Sequence, residues 1–233
     1  MGDHPNIRKT VDMSLIKVGV PEKFWLAPLP AKFQKGFTYE DEALYYITAN
    51  LAAPKIAQYI SSRVGKCELI DAFAGIGGDS IGFAPYFSKI YSTELDAVRY
   101  YCLSKNIQAY HLSDRVFAKN ADFCKTYQRY PKSAVVYMDP PWGGVAYSEK
   151  RNDDLPVMKA DGGTRSFNEL CCDLLEFGFP VIFAKVPTNF NTSALSVIAD
   201  VKESLVFKKI LMLEVRPLQS ASRGHSSHSN ASR

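Results

Sequence analysis

The sequence predicts an α/β protein, with a mostly parallel sheet clothed in helices and a small helical extension in front of it. Three observations predict it. From Cys67 onward, short apolar runs alternate with amphipathic stretches; glycines cluster directly after the first run; and a long apolar segment closes the patterned part of the chain. The runs are 68–73 (ELIDAF), 89–94 (KIYSTE), 134–139 (AVVYMD) and 180–185 (PVIFAK). Each has the length of a buried parallel strand. The stretches DSIGFAPYF, LDAVRYYCLSKN and SFNELCCDLLEFG between them supply the covering helices.

Taken in order, residues 1–36 carry prolines at 21, 28 and 30, which break any long regular element. Leu44, Ile47, Leu51, Ile56 and Ile60 then follow a helical rhythm that Pro54 divides. Residues 1–64 therefore form an extension, partly helical, lying as a lid over substrate and cofactor. Residues 65–217 form the main domain. It closes on 204–215 (SLVFKKILMLEV), an antiparallel hairpin turning near Lys208–Lys209. Residues 218–233, rich in Ser, His and Arg without periodicity, read as a disordered basic tail.

The bulk numbers narrow the class. A chain of 233 residues holds one large domain, and 46% hydrophobic with 22% charged residues is a globular balance. No apolar stretch is long enough for a bilayer helix, and the opening MGDHPNIRKT has neither a leader's apolar run nor the hydroxyl residue that follows a myristoylated Met-Gly. A net charge of +4 suits an anionic partner without demanding one. The five cysteines include no CxxC pair, and the four histidines complete no zinc pattern, so a reducing compartment and no metal are expected.

The glycine cluster lies in DAFAGIGGDSIGFA (71–84), where Gly75, Gly77 and Gly78 let a strand turn sharply into a helix close to a ligand. Such loops also serve dinucleotides. The acids decide between the two. Asp71, with Ala72, opens the loop, and Glu94 closes the next strand, placed to take the ribose hydroxyls of an adenosine ligand. Pyrophosphate disfavours acids at a helix N-terminus, whereas the sulfonium and amino-acid end of S-adenosylmethionine (SAM) tolerate Asp71 and Asp79. SAM is the cofactor expected. Asp122 follows a third strand and suits an adenine amino group. Each has a plainer reading: Asp79 as a helix N-cap, Asp122 as a cap or turn residue, Asn106 as the C-cap of the second helix.

The fourth strand ends in Met138-Asp139-Pro140-Pro141-Trp142-Gly143-Gly144. Two prolines stiffen the chain where open α/β sheets bind ligands. Such a turn offers the Asp139 carboxylate and the Pro140 carbonyl to the hydrogens of an exocyclic amine. Trp142 gives a flat stacking surface, with the glycines clearing space; its plainer reading is a plug behind the turn. The chemistry predicted is direct methyl transfer to a nucleobase amine, with Asp139 orienting the amine rather than deprotonating it in advance.

The combination DAFAGIGGDSIGFA…DPPWGG resembles the trimethylguanosine synthase family of cap guanine-N2 methyltransferases, from about Trp25 to Pro217. The resemblance implies a Rossmann-like class I SAM-dependent methyltransferase acting on 7-methylguanosine-capped RNA, giving 2,7-dimethylguanosine or, if a second transfer follows, 2,2,7-trimethylguanosine. It implies that Trp142 stacks on the cationic cap base, that Asp71, Glu94 and Asp122 contact SAM, and that Tyr46, Ile47 and Thr48 approach the cofactor. Trp25, with Lys32 and Lys35, helps cover the cap. For the triphosphate, Lys150, Arg151, Arg165, Lys185 and Asn189 are the candidates, each equally readable as a solvated surface residue. Asp139 departs from the family's usual Ser; Asp-Pro-Pro is typical of adenine-N6 and ribosomal guanine-N2 methyltransferases, the alternative class. A monomer is expected, in the nucleus or, alternatively, the cytoplasm.

Overall fold

The computed structural model describes residues 7–19, 36–48, 52–141, 154–207 and 210–218. The extension contributes two short paired strands, β1 (Lys17–Val18) and β2 (Thr38–Tyr39), a 3-10 turn at Glu42–Tyr45 and helix α1 (Ala52–Val64). Pro54 does not divide this helix. It sits in the first turn, where a missing N–H has no intrahelical acceptor to lose.

The central sheet is built from β3 (Glu68–Asp71), β4 (Lys89–Glu94), β5 (Val116–Asn120) and β6 (Val135–Met138), followed by β9 (Ile182–Val186), β10 (Asp200–Phe207) and β11 (Ile210–Arg216). Between them, β7 (Pro156–Met158) and β8 (Thr164–Ser166) form a separate hairpin. The strand order is β10-β11-β9-β6-β3-β4-β5. Five strands run parallel, and β11 and β10 close one edge antiparallel. The terminal hairpin is longer than its sequence suggests, because β10 starts at Asp200, in a stretch (DVKES) too polar to advertise a strand. Its turn residues, 208 and 209, lie outside the described residues, as does 219–233 of the expected tail.

The strands are covered on both faces. In β6, Val135 and Tyr137 point into one layer and Val136 and Met138 into the other, the period-two alternation of a strand with two buried sides. The first layer is packed by α1, α2 (Gly78–Phe83) and α3 (Ala97–Ala109), through Ile56, Ile60, Phe83, Leu103 and Ile107. The second is packed by α4 (Phe123–Thr126) and α5 (Phe167–Phe177), through Phe123, Phe167, Leu170 and Leu174. The last helix, α6 (Leu195–Ile198), is a single turn. The chain leaves β3 towards β4 and β5, then returns to β6 on the other side of β3. At that reversal the loops diverge and open a crevice beyond the strand ends.

Candidate active site

A cleft of about 290 Å³ occupies that crevice. Its floor is the glycine loop after β3. Gly77 is the N-cap of α2 at φ +99°, a left-handed conformation that favours glycine. Gly78 solves a contact problem instead: a Cβ there would lie 2.5 Å from Ile47 Cγ1, so its bareness lets the extension press on the helix start. Glu94, at the end of β4, holds the loop from the other side. Its Oε2 accepts from Gly75 N–H at 2.8 Å and its Oε1 from Asp96 N–H at 2.7 Å. Burial raises its pKa to about 7, with Arg99 working in the opposite direction.

Asp71 is fully buried beneath the loop, where its Oδ2 accepts from Ser80 Oγ at 2.5 Å. Burial, with the charge of Asp79 next in weight, pushes its pKa up to about 8. Asp71 does not line the cleft, although Ala72 does.

Asp79 is not a helix cap. It lies within the first turn of α2 and faces the cleft, its Oδ2 accepting from Thr48 Oγ1 and Tyr137 OH at 2.9 Å each. Its other oxygen, Oδ1, is buried with no hydrogen-bond partner among the described residues. A buried acceptor without a donor is costly. It calls for a ligand that brings one, such as an ammonium group.

Asp122 is the N-cap of α4, as its plainer reading had it, with Oδ1 accepting from Cys124 N–H at 3.0 Å. It also does more. Oδ2 accepts from Ala160 N–H at 2.9 Å, tying the β7–β8 hairpin to the cleft wall it shares with Phe73, Phe123 and Met158. Asn106 is not the C-cap of α3. It lies inside the helix and clamps the extension and the glycine loop, bonding Thr38 N–H, Thr38 O and the Ile76 carbonyl.

At the opposite end, Asp139, Pro140 and Pro141 line the cleft just past β6. The Asp139 carboxylate is ion-paired with the Lys185 ammonium from β9. Lys185 also donates to Thr48 Oγ1 at 2.9 Å, and Thr48 in turn bonds Asp79. Burial raises the Asp139 pKa to about 6, Lys185 pulling against it and Asp79 adding to it. The extension thus reaches the chemical end of the cleft through Thr48, while Tyr46 and Ile47 line it alongside.

The sites named for the cap are less fully described. Trp142, Trp25, Lys32, Lys35, Lys150 and Arg151 lie outside the described residues. Arg165 is ion-paired with Asp173 of α5. Asn189 follows β9 and is not among the described lining residues, and Lys185 faces Asp139 inside the cleft.

Sequence reading missed the other end of the wall. Ile7 lines the cleft beside Asp96 and Arg99. Arg8 donates from its backbone N–H and its Nε to Asp96 Oδ2, each at 2.8 Å, and reaches Glu40, which also binds Arg99. Nothing near Arg8 in sequence announces a partner 88 residues away. Asp96 alone carried a signal, as the acid that caps the predicted second helix.

The residues present are compatible with an adenosylated amino acid: a glycine floor, an acid at the end of β4, and an Asp79 oxygen without a partner among the described residues. A Geobacter sulfurreducens methyltransferase shares the fold, at a TM-score of 0.50 and 13% identity over 75% of this chain and 84% of that one. The fold and family define a SAM-dependent methyltransferase of class I. The profile of the RNA cap guanine-N2 methyltransferases matches residues 66–212, more than half of the chain, and the chain belongs to that family.

Among relatives, an uncharacterised protein of Acanthamoeba polyphaga mimivirus is 27% identical over 177 residues, 65% of this chain and 67% of that protein. The trimethylguanosine synthase of Schizosaccharomyces pombe is 32% identical over 136 residues, 55% of this chain and 56% of the enzyme. That of Saccharomyces cerevisiae is 31% identical over 118 residues, 48% of this chain and 37% of the enzyme. The match therefore spans about half or less of the length of these two yeast relatives.

Proposed function

We propose that the protein methylates the exocyclic N2 amine of 7-methylguanosine in an RNA cap, giving 2,7-dimethylguanosine, with 2,2,7-trimethylguanosine the product of a second round. The observation that carries methylation of an amine is the largely buried Asp139 carboxylate, followed by two prolines, in the same cleft as Glu94 and the glycine loop. The likeness to the two yeast trimethylguanosine synthases supports the choice of base.

When bound, SAM supplies an electrophilic methyl group on a cationic sulfonium. In this reading Glu94 accepts from the ribose hydroxyls, its carboxylate oxygens keeping a lone pair each beyond the backbone bonds they make. Asp79 Oδ1 accepts from the amino-acid ammonium. Asp122 accepts from the adenine amine. Asp71 sets the loop from beneath. Asp139 Oδ and the Pro140 carbonyl accept the two amine hydrogens of guanine N2, directing its lone pair at the methyl group. A guanine amine is a poor nucleophile, so orientation at close range and acceptors strengthened by low dielectric are what the residues contribute. Trp142, next in sequence after Pro141, stacks on the base; 7-methylation makes the purine cationic, and a cation over indole gains about 1–2 kcal/mol where partly desolvated.

Asp139 itself favours a second reading, a ribosomal or transfer RNA guanine-N2 or adenine-N6 methyltransferase, because Asp-Pro-Pro is the form those enzymes use. One experiment separates the two. Mass spectrometry over time of RNA capped with 7-methylguanosine and incubated with SAM should show one and then two added methyl groups, with 7-methyl-GTP also accepted and GTP refused. Methylation of uncapped transfer or ribosomal RNA, with capped RNA untouched, would establish the second reading instead.

A further inference from the structure

We propose that Lys185 is a positioning residue for the acceptor Asp139: its ammonium fixes which carboxylate oxygen faces the substrate amine and keeps that carboxylate charged. The inference rests on the role given to Asp139 above. Its grounds are geometric. Lys185 is ion-paired with Asp139 Oδ2 and donates to Thr48 Oγ1 at 2.9 Å, so its head is held from two elements. Thr48 passes the constraint on by donating to Asp79. With Oδ2 engaged by the lysine, Oδ1 is the Asp139 oxygen this proposal assigns to the amine.

The charge balance of this end of the cleft requires such a cation. The groups acting on Asp139 are Lys185 from β9, Asp79 from α2, Asp71 at the end of β3 and Tyr137 on β6. Two of these four groups are carboxylic acids, and the neutral Tyr137 OH is committed as a donor to Asp79. Of the described residues lining the cleft, Arg99 and Lys185 are the cations, and Arg99 binds Glu40 and Glu42 at the far wall. Lys185 alone among them touches Asp139. Even with the lysine in place, burial holds the carboxyl at about 6. Without it, only the Thr48 hydroxyl opposes desolvation and Asp79, and the carboxyl shifts towards its neutral form. A protonated Asp139 presents a donor to an amine that needs an acceptor.

The test combines two variants and two readouts. In the pH profile of kcat on 7-methyl-GTP, Lys185→Met should move the acidic limb up by about two pH units, lowering turnover at pH 7 about tenfold and recovering most of it near pH 9. Lys185→Arg, which keeps the cation, should return the limb close to the wild-type position. The carboxyl ¹³C shift of Asp139, assigned by its loss in Asp139→Asn, should titrate higher in Lys185→Met than in wild type, without any substrate. An equal fall in kcat at every pH, or an unmoved ¹³C titration, would overturn the proposal. Should Lys185→Met fail to fold, Lys185→Gln carries the same expectations, since it keeps a donor and loses the charge. If the wild type leaves 7-methyl-GTP unmethylated, the cap reading fails, and the ¹³C titration still decides the role of Lys185.

Discussion

Asn106 holds Thr38 with both ends of its amide, accepting from the backbone N–H at 2.7 Å and donating to the backbone carbonyl at 2.8 Å. The same amide nitrogen donates to Ile76 O in the glycine loop. One fully buried side chain inside α3 therefore joins the extension to the cofactor floor. Asn106→Leu, similar in volume, leaves three backbone groups without partners. Such groups cost about 1–3 kcal/mol each when stranded, and partial relaxation should bring the loss to about 3 kcal/mol in urea denaturation. SAM affinity should fall with it. A variant as stable as the wild type would mean that Thr38 and Ile76 find other donors and acceptors.

The contrast between β6 and Arg8 shows what sequence alone made legible. Val135–Met138 is apolar throughout because both faces are covered, and Gly75, Gly77 and Gly78 follow a strand directly, so strand, loop and cleft could be placed from local pattern. Asp139 and Glu94 could be placed at the cleft for the same reason, each standing at the end of a strand, whereas Thr48 came from the family resemblance. What escaped depends on pairing between distant segments. The Arg8–Asp96 bond, the Lys185–Asp139 pair and the clamp at Asn106 leave no periodic trace, and a lysine near a strand end reads as solvated until its acid is seen. Asp122 shows a subtler limit, being both a helix cap and an anchor for the β7–β8 hairpin, because local spacing reveals only the first role.

Arg8 supplies a prediction of its own. Its guanidinium is about one-fifth exposed and links Asp96 to Glu40, both buried acids whose pKa values it helps hold below the ordinary range. Arg8→Ala should cost about 1–3 kcal/mol in thermal or urea denaturation, less than for a fully enclosed pair because solvent screens the site. Since Asp96 N–H is also a ligand of Glu94, SAM binding by calorimetry should weaken several-fold. Unchanged stability together with unchanged affinity would show the Ile7–Arg8 segment to be an idle contact.

Glu94 is tested by separating the two ligands. Glu94→Ala removes the acceptor proposed for the ribose and both backbone anchors, so SAM affinity should fall about 10- to 100-fold, the range of one or two hydrogen bonds to a charged acceptor. Binding of 7-methyl-GTP should change far less. Glu94→Gln keeps the shape and one acceptor and should fall between. Equal losses of both ligands would indicate general loosening of the cleft.

The buried acids also set how stability depends on pH. Asp71 at about 8 and Glu94 at about 7 stand above their ordinary values of 3.8 and 4.5, so the folded state holds more protons than the unfolded one between about pH 4 and 8. Their contribution favours folding at the acidic end of that window and is lost as pH rises through it. Glu40, Asp96 and Glu214 act oppositely: Arg partners hold them low, and their contribution disappears only as pH falls below the ordinary carboxylate range. The melting temperature should therefore decline from pH 5.5 to 8.5 without ligand. Asp71→Asn, which cannot ionise and retains an acceptor for Ser80, should flatten that decline and exceed the wild type at pH 8.5. A wild-type curve that rises over this range, unaffected by the substitution, would contradict the assignment.

Trp142 decides how much of the proposed selectivity is aromatic. Stacking of an indole on a purine cation is worth about 1–2 kcal/mol beyond what a neutral purine gains, or about 5- to 30-fold in affinity. The expected signature is a change in discrimination as well as in strength. Trp142→Ala should weaken 7-methyl-GTP binding and lower kcat/KM at least tenfold while leaving SAM affinity nearly intact, and the preference over GTP should shrink towards unity. Trp142→Phe retains a smaller π face, so it should restore much of the preference and part of the rate. If alanine lowered binding of 7-methyl-GTP and GTP by the same factor, the ring would be contributing area rather than charge recognition. The selectivity would then have to come from other contacts, and if both affinity and turnover survived the truncation, Trp142 would not be the stacking residue at all.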